Sequence, residues 1–213
     1  MTELADKPKR FSLTEFLRLR FGGVFDPFAA FFNRLGLMPN TMTILGLLGN
    51  AVGAYFLTQG RMTIGGIIIL AMAPVDAFDG AMARLRGEPT KFGAFVDSVT
   101  DRYSELLILG GLLFYYLQRG DLLGAGLTYA SAAGSVLVSY VRARGQASGY
   151  DTKVGILTRF ERLFILAPAL IFNHPIVALW IIAIFANITA LQRILDVRRQ
   201  AYEKEFHNLR GKK

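Results

Sequence analysis

The chain has 213 residues, of which 53% are apolar and 19% are charged, and its mean hydropathy is +0.38. This composition excludes an ordinary soluble domain of that size and indicates an integral membrane protein with one domain. Because cysteine is absent, disulfides and thiolate chemistry are excluded as well. The net charge of +8 is explained by membrane topology and by attraction to anionic lipid, without nucleic acid as a partner.

Residues 1–39 are expected to form a cytoplasmic segment with an amphipathic helix that lies in the membrane interface. Ser12-Leu13-Thr14-Glu15 has the form of a capping box, and the start of the chain is too polar for a cleaved signal peptide. From residue 26 to 37, apolar side chains recur at helical spacing: Phe28, Phe31, Phe32 and Leu35. A helix in the interface plane explains both features, and a soluble helix packed on the bundle is the alternative.

Hydropathy predicts an all-α transmembrane domain at residues 40–195, built as a six-helix bundle. The predicted spans are 40–59, 62–83, 94–118, 121–141, 155–173 and 175–195. The pairs Gly65-Gly66 and Gly110-Gly111 indicate close helix packing. Residues 196–213 are basic and are expected to form a cytoplasmic tail that extends the last helix in a frayed form.

The positions of lysine and arginine predict the orientation of the bundle. All of the 24 basic residues except Arg61 and Arg119 lie before the first span, after the last, or around the second-to-third and fourth-to-fifth connections. An even number of spans with both termini in the cytoplasm therefore satisfies the positive-inside rule. The expected location is the cell (inner or plasma) membrane, with both termini, the end of the second span and the start of the third span on the cytoplasmic side.

Four aspartates lie at the ends of two strongly apolar stretches: Asp76, Asp79, Asp97 and Asp101. Carboxylates at such depth are costly and mark a functional site. Their spacings place each pair on one face of a helix, about one turn apart. If the two helices face each other, four carboxylates meet, and because like charges oppose one another's ionisation the cluster must hold protons or cations.

The chemistry of the ligands favours cations. Oxygen donors without cysteine or a nearby histidine prefer Mg²⁺ or Mn²⁺, and four carboxylates are more than one Mg²⁺ usually takes, so two divalent cations are predicted. A proton relay or ion pathway is an alternative, although it explains neither the neighbouring glycines nor Arg84. A structural ion-pair network with Arg84, Arg86 and Arg102 is another.

The residues from Asp76 to Asp101 form the frame D-x2-D-G-x2-A-R-x8-G-x3-D-x3-D. This frame resembles, without a departure, the signature of the CDP-alcohol phosphotransferase family of membrane enzymes. The resemblance implies a phosphotransferase of phospholipid biosynthesis. Such an enzyme moves a phosphatidyl group from a CDP-activated lipid, such as CDP-diacylglycerol, to a water-soluble alcohol and releases CMP. The resemblance also implies a homodimer.

The resemblance also implies roles for individual residues. The four aspartates would hold the cations, and Asp101 would accept the proton of the attacking hydroxyl. Asp79 and the other frame residues would contact the nucleotide: Gly80, Ala83, Arg84 and Gly93. Residues 39–43 resemble the family's element beside the nucleotide, which implies a binding role for Asn40 and Thr43, with helix capping by Asn40 as the open alternative.

A second basic cluster is the only clue to the acceptor alcohol. It contains Arg142, Arg144, Arg159, Arg162 and Arg193, all at cytoplasmic ends of predicted spans. A pocket formed by these side chains suits a phosphorylated acceptor, since arginine donates paired hydrogen bonds to phosphate. These segments resemble those of phosphatidylinositol-phosphate synthases, which use inositol phosphate, although Arg142 stands where that subfamily often has lysine. Anchoring of the helix ends is the alternative role.

Other activities stay open at the level of sequence. One is a phosphatidylglycerophosphate synthase or another member of the family, including one with an archaeal-type ether lipid as donor. A more remote alternative is a non-enzymatic ion or lipid transporter, for which Asp101 would be dispensable.

Overall fold

The computed structural model describes residues 27–87, 90–152 and 154–210, without the side chains of residues 76, 77 and 206–210. Within these residues the chain forms seven helices and no strand, which confirms the all-α prediction. The helices are α1 (27–34), α2 (Pro39–Thr58), α3 (Met62–Leu85), α4 (Lys91–Gln118), α5 (Leu122–Ala147), α6 (Arg159–Ile171) and α7 (Pro175–Arg210). The predicted capping box at residues 12–15 lies outside the described residues.

Several helix boundaries differ from the prediction, among them those of α2, α5 and α6. The helix α2 has Met38 at its N-cap and Pro39 in the first turn, where a missing N–H is tolerated, so the predicted cap at Asn40 is wrong. The helix α5 continues to Ala147, beyond the predicted end at 141. The helix α6 begins only after Thr158, whose N–H donates to the Glu161 carboxylate at 2.5 Å, so the predicted start at 155 is wrong as well.

In the part of the chain that the structure describes, four helices are long and apolar enough to cross a membrane: α2, α3, α5 and the Pro175–Glu205 part of α7. The helix α4 has 28 residues but carries several charges between its start and its middle, among them Asp97, Asp101 and Glu105. The helix α6 has 13 residues, which corresponds to about 20 Å at the usual helical rise and is shorter than a typical hydrocarbon core. The four apolar helices make the chain an integral membrane protein, and α4 and α6, which do not belong to these four, contain candidate site residues.

The bundle is held together by a small set of helix pairs. The helix α2 packs against α3 and α4, α5 packs against α4 and α7, and α6 bridges α3 and α7. A Cβ atom at Gly65 would lie 2.9 Å from the Gly53 carbonyl oxygen, and one at Gly111 would lie 2.6 Å from the Ala54 oxygen. These approaches confirm the predicted close packing, whereas Gly110 is exposed and has no neighbour within 4 Å of such a Cβ.

The short helix α1 is fixed to the end of α3. Arg86 donates from Nε to Asn33 Oδ1 at 2.7 Å and from Nη2 to the Leu37 carbonyl oxygen at 2.6 Å. The rings of Phe28 and Phe32 lie 5.8 and 5.7 Å from the ring of Phe78. Three apolar side chains of this segment remain more than half exposed: Phe28, Phe31 and Leu35. One side of the segment therefore packs on the bundle while an apolar side faces outwards.

The last helix extends well past the predicted span. It runs without a break to Arg210, which for 36 residues corresponds to about 54 Å. The segment predicted as a frayed tail is therefore continuous helix through that residue. In this segment, Gln200 and Lys204 contact the connection between α5 and α6.

Candidate active site

The candidate site residues collect at one end of the bundle, where α2, α4 and α6 begin and α3 and α5 end. This follows from the alternating direction of successive helices joined by short connections. Asn40 and Thr43 lie in the first two turns of α2, and Asp79 to Arg84 occupy the last two turns of α3. The aspartates of the second predicted pair lie in the first three turns of α4.

Asp79 is the most buried of the described aspartates, with 7% of its surface exposed. The hydroxyl of Thr43, which is 5% exposed, donates to Asp79 Oδ2 at 2.6 Å. A buried carboxylate is costly without such compensation. The contact joins α2 to α3 and brings together two residues that the sequence assigned to the nucleotide site.

The small residues of the frame leave room for neighbouring polar groups. A Cβ atom at Gly80 would lie 3.3 Å from Arg84 Nη1, so the exposed arginine folds back over this glycine. A Cβ atom at Gly93 would lie 3.9 Å from Asn40 Oδ1, which shows that the starts of α2 and α4 are adjacent. Ala83 is half-buried on the same turn of α3. The predicted nucleotide residues thus come from three helix ends that meet.

Asp101 is joined to α6 by an ion pair. Its Oδ1 atom lies 2.5 Å from Arg159 Nη1, and its Oδ2 atom lies 3.8 Å from Arg102 Nη1. Its side chain is 19% exposed, and that of Arg159 is 32% exposed. The expected base therefore stands beside an arginine that the sequence assigned to the acceptor, and the pair remains open to solvent.

Three of the four predicted cation ligands have described side chains, namely Asp79, Asp97 and Asp101. Among the described side chains, which leave out that of Asp76, no three acidic or histidine residues are close enough to hold a metal ion. The helices α3 and α4 each make their most extensive contacts with α2. The four-carboxylate site stays a prediction.

Two of the predicted acceptor arginines are buried and bound to protein groups. Arg162 is 2% exposed and forms a two-point ion pair with Glu105, at 2.6 Å from Nε to Oε1 and 2.8 Å from Nη2 to Oε2. Arg193 is 4% exposed and donates to the carbonyl oxygens of Val154 at 3.0 Å and Val138 at 2.6 Å. The contacts of Arg162 and Arg193 are therefore those expected of residues that anchor the helices to one another.

The remaining predicted acceptor residues are more open. Arg142 and Arg144 are exposed in the last two turns of α5. Arg142 and Arg162 both lie within electrostatic reach of Arg193, so three of the five predicted arginines are near one another. The sequence therefore predicted the convergence of arginines, but it did not distinguish exposed ones from buried ones.

Glu105 and two neutral polar residues were missed by the sequence analysis. A cavity of about 40 Å³ is lined in part by Arg159, and Asn50, Ser104 and Glu105 are also among its lining residues. Asn50 and Ser104 are both less than 5% exposed. Glu105 follows Asp101 by one helical turn, so its spacing was the available signal for a third acid on this face of α4.

Comparisons with known proteins agree with this architecture. The family described as CDP-alcohol phosphatidyltransferase matches residues 36–192. A phosphatidylinositol phosphate synthase of Streptomyces avermitilis is 37% identical over 209 residues, covering 91% of this chain and 85% of the relative. An archaetidylinositol phosphate synthase of Pyrococcus horikoshii is 36% identical over 167 residues, covering 78% and 86%.

Solved structures are similar as well. The crystal structure of Mycobacterium tuberculosis phosphatidylinositol phosphate synthase with CDP-DAG bound has a TM-score of 0.77 at 31% identity, covering 82% of this chain and 93% of that chain. The complex of the same enzyme with manganese and citrate has a TM-score of 0.75 at 31% identity, covering 81% and 88%.

Fold, site and comparisons together define a helical membrane transferase. The chain belongs to the CDP-alcohol phosphatidyltransferase family. The expectation drawn from the aspartate frame is thereby confirmed for the family and for the class of reaction, which is transfer of a phosphatidyl group from a CDP-activated lipid to an alcohol.

Proposed function

We propose that this chain transfers the phosphatidyl group of CDP-diacylglycerol to inositol phosphate and releases CMP. The observation that carries the proposal is the contact between Asp101 and Arg159, because it pairs a candidate base with a candidate phosphate ligand. The names of the relatives from Streptomyces and Mycobacterium support inositol phosphate as acceptor. The archaeal relative supports the same class of acceptor and keeps an ether-lipid donor as the second candidate.

We infer that the four frame aspartates hold two divalent cations, Mg²⁺ or Mn²⁺. The donor set fits, since it is made of carboxylate oxygens, and the burial of Asp79 is a reason for a compensating cation there. The manganese complex of the mycobacterial enzyme supports this assignment. When bound, the cations would stabilise negative charge on the diphosphate and on the departing CMP.

The residues of the chain have separate tasks in the proposed reaction. Asp101 takes the proton of the acceptor hydroxyl as that oxygen bonds to the lipid-side phosphorus, and the bond between this phosphorus and the CMP oxygen breaks. Arg84 and the small residues Gly80, Ala83 and Gly93 bind the nucleotide together with Asn40. Thr43 orients Asp79 through its hydroxyl.

The arginines that bind the acceptor phosphate act in two ways. Arg159, Arg142 and Arg144 are partly or fully exposed, and we propose that they contact the phosphate. Arg162 and Arg193 have donors engaged by Glu105 and by carbonyl oxygens, so we propose that they contribute their charge and hold the pocket in place. Arg159 must then exchange or share its contact with Asp101 when the acceptor arrives.

We further propose that α4 and α6 also cross the membrane, which gives six spans with both termini in the cytoplasm. The distribution of basic residues supports this topology in the cell membrane. The exposed side of the α1 segment, with Phe28, Phe31 and Leu35, is suited to the membrane interface.

A homodimer is proposed through the outer face of α4. This face carries an exposed stripe at spacings of three and four residues, formed by Tyr103, Leu106, Gly110, Phe114 and Leu117. The uncovered glycine at its centre permits close approach of a second helix.

A panel of acceptors tests the proposed function. Purified protein with CDP-diacylglycerol and Mg²⁺ or Mn²⁺ is incubated with inositol phosphate, free inositol or glycerol phosphate, and CMP release is measured. We expect CMP with inositol phosphate and little with the other two. A preference for glycerol phosphate would identify a phosphatidylglycerophosphate synthase, and no CMP with any alcohol or CDP-lipid, including an ether-lipid donor, would support the transporter alternative.

A further inference from the structure

One face of α7 follows the connection between α5 and α6, residues 148–158, of which Lys153 is not described. Four side chains on this face contact the connection, and they are spaced by four, seven and four residues: Thr189, Arg193, Gln200 and Lys204. Such spacings return to the same side of a helix. These four residues are called the α7 stripe below.

The inner half of the α7 stripe contacts the end of the connection. Thr189 Oγ1 accepts hydrogen bonds from the N–H groups of Ile156 and Leu157, each at 3.2 Å. Arg193 Nε donates to the Val154 carbonyl oxygen at 3.0 Å. These contacts hold Val154, Ile156 and Leu157, in the half of the connection that precedes α6.

The outer half of the α7 stripe contacts the start of the connection. Gln200 Nε2 donates to the Asp151 carbonyl oxygen at 3.0 Å. Lys204 Nζ donates to the Gly149 carbonyl oxygen at 2.6 Å and lies 4.7 Å from the centre of the Tyr150 ring. As α7 advances, the contacted residue therefore moves back along the connection, in an antiparallel order.

The connection needs such partners because it is not helical and cannot satisfy its own backbone groups. Two of its glycines have positive φ angles, 80° at Gly149 and 144° at Gly155, which favour glycine and prevent a regular helix. A Cβ atom at Gly155 would overlap Thr189 Cγ2, so the connection rests directly on α7. Its position is thus set by α7 rather than by its own secondary structure.

The end of the connection sets the position of the candidate site arginines. Arg159, the first residue of α6, forms the ion pair with Asp101. Arg162, one turn later, donates to the Leu157 carbonyl oxygen at 3.2 Å as well as to Glu105. A shift of the connection would therefore move the guanidinium groups proposed to receive the acceptor phosphate.

We propose that Gln200 and Lys204, in the cytoplasmic extension of α7, are positioning residues for the acceptor site. They act through the connection, whose placement fixes Arg159 beside Asp101, and they do not contact the substrates. The inference rests on the proposed function, because it assigns the acceptor phosphate to Arg159. The proposed CDP-lipid contacts come from α2, α3 and α4. Binding of the donor is therefore independent of the contacts that Gln200 and Lys204 make with the connection.

The test compares two double variants of the full-length chain. Gln200→Ala with Lys204→Ala removes two hydrogen bonds to the connection, whereas Arg199→Ala with Glu203→Ala removes an exposed ion pair of 3.1 Å on the same helix. CMP release is measured against inositol phosphate at saturating CDP-diacylglycerol, and against CDP-diacylglycerol at saturating acceptor. The first variant is expected to raise the KM for the acceptor about fivefold, with kcat and the KM for the donor close to those of the control variant. Lys204→Arg, which keeps a donor at this position, should leave the acceptor KM near the wild-type value.

An unchanged acceptor KM in the first variant would overturn the inference. An equal rise of both KM values, or an equal rise in the control variant, would also overturn it, since either would mean a general structural effect. Failure of the proposed function is distinguishable, because wild-type protein would then release no CMP with inositol phosphate before any variant is compared.

Discussion

Removing the partner of a buried arginine provides a stringent test of the bundle's internal electrostatics. Glu105→Ala would leave the Arg162 guanidinium, which is 2% exposed, without the carboxylate that it contacts at 2.6 and 2.8 Å. Breaking a buried ion pair on one side costs about 3–5 kcal/mol, because a desolvated charge remains. For a domain of this size such a loss corresponds to a decrease in Tm of roughly 6–20 °C.

The assay is thermal unfolding of detergent-purified protein, followed by the fraction that remains monodisperse after heating. Glu105→Ala and Arg162→Ala should each lower the Tm by the amount above. Glu105→Leu combined with Arg162→Met should recover much of the loss, since replacing both partners with apolar residues removes the unpaired charge. A wild-type Tm in both single variants would refute the reasoning, and so would a double variant that is less stable than either.

Three further predictions concern catalysis. Asp97→Asn should abolish CMP release by removing a cation ligand while leaving the Tm near the wild-type value, and wild-type turnover would contradict that role. Arg159→Ala should raise the KM for inositol phosphate by about tenfold or more, because a charged hydrogen bond to phosphate is lost. The KM for CDP-diacylglycerol should stay unchanged. An unchanged KM for inositol phosphate would mean that Arg159 only anchors the helix end. Thr43→Val should raise the KM for CDP-diacylglycerol severalfold, because Asp79 loses its 2.6 Å hydrogen bond, and Thr43→Ser provides the matched control that keeps the hydroxyl.

Hydropathy predicted most of the helices because long apolar runs have few alternatives in a membrane. It placed the start of α6 too early, since the apolar residues before it continue the run although Gly155 and the cap at Thr158 prevent helix there. The signal for the correct start was present as the Thr158-x-x-Glu161 pattern. At α2, Pro39 in the first turn overrode the capping preference of Asn40.

The candidate site was predictable where the chemistry depends on spacing along one helix. The aspartate frame and its small residues are of that kind, and the family match confirmed the resemblance that they carry, while the roles of the individual residues stay predictions. The contacts of Asp101 with Arg159 and of Glu105 with Arg162 could not be predicted, because they depend on how α4 packs beside α6. The contacts of Gln200 and Lys204 were missed for a different reason, since their partners are carbonyl oxygens, which every residue carries and no pattern reveals.

Cation binding by the carboxylates is the central claim, and counting bound Mn²⁺ by electron paramagnetic resonance tests it most directly. We expect about two Mn²⁺ ions per wild-type chain in the presence of CDP-diacylglycerol, and a lower count in Asp97→Asn protein that is still folded. CMP release should stop when a chelator removes the metal and return when Mg²⁺ or Mn²⁺ is added. A wild-type chain that binds no Mn²⁺, or that releases CMP at full rate in the chelator, would contradict the account.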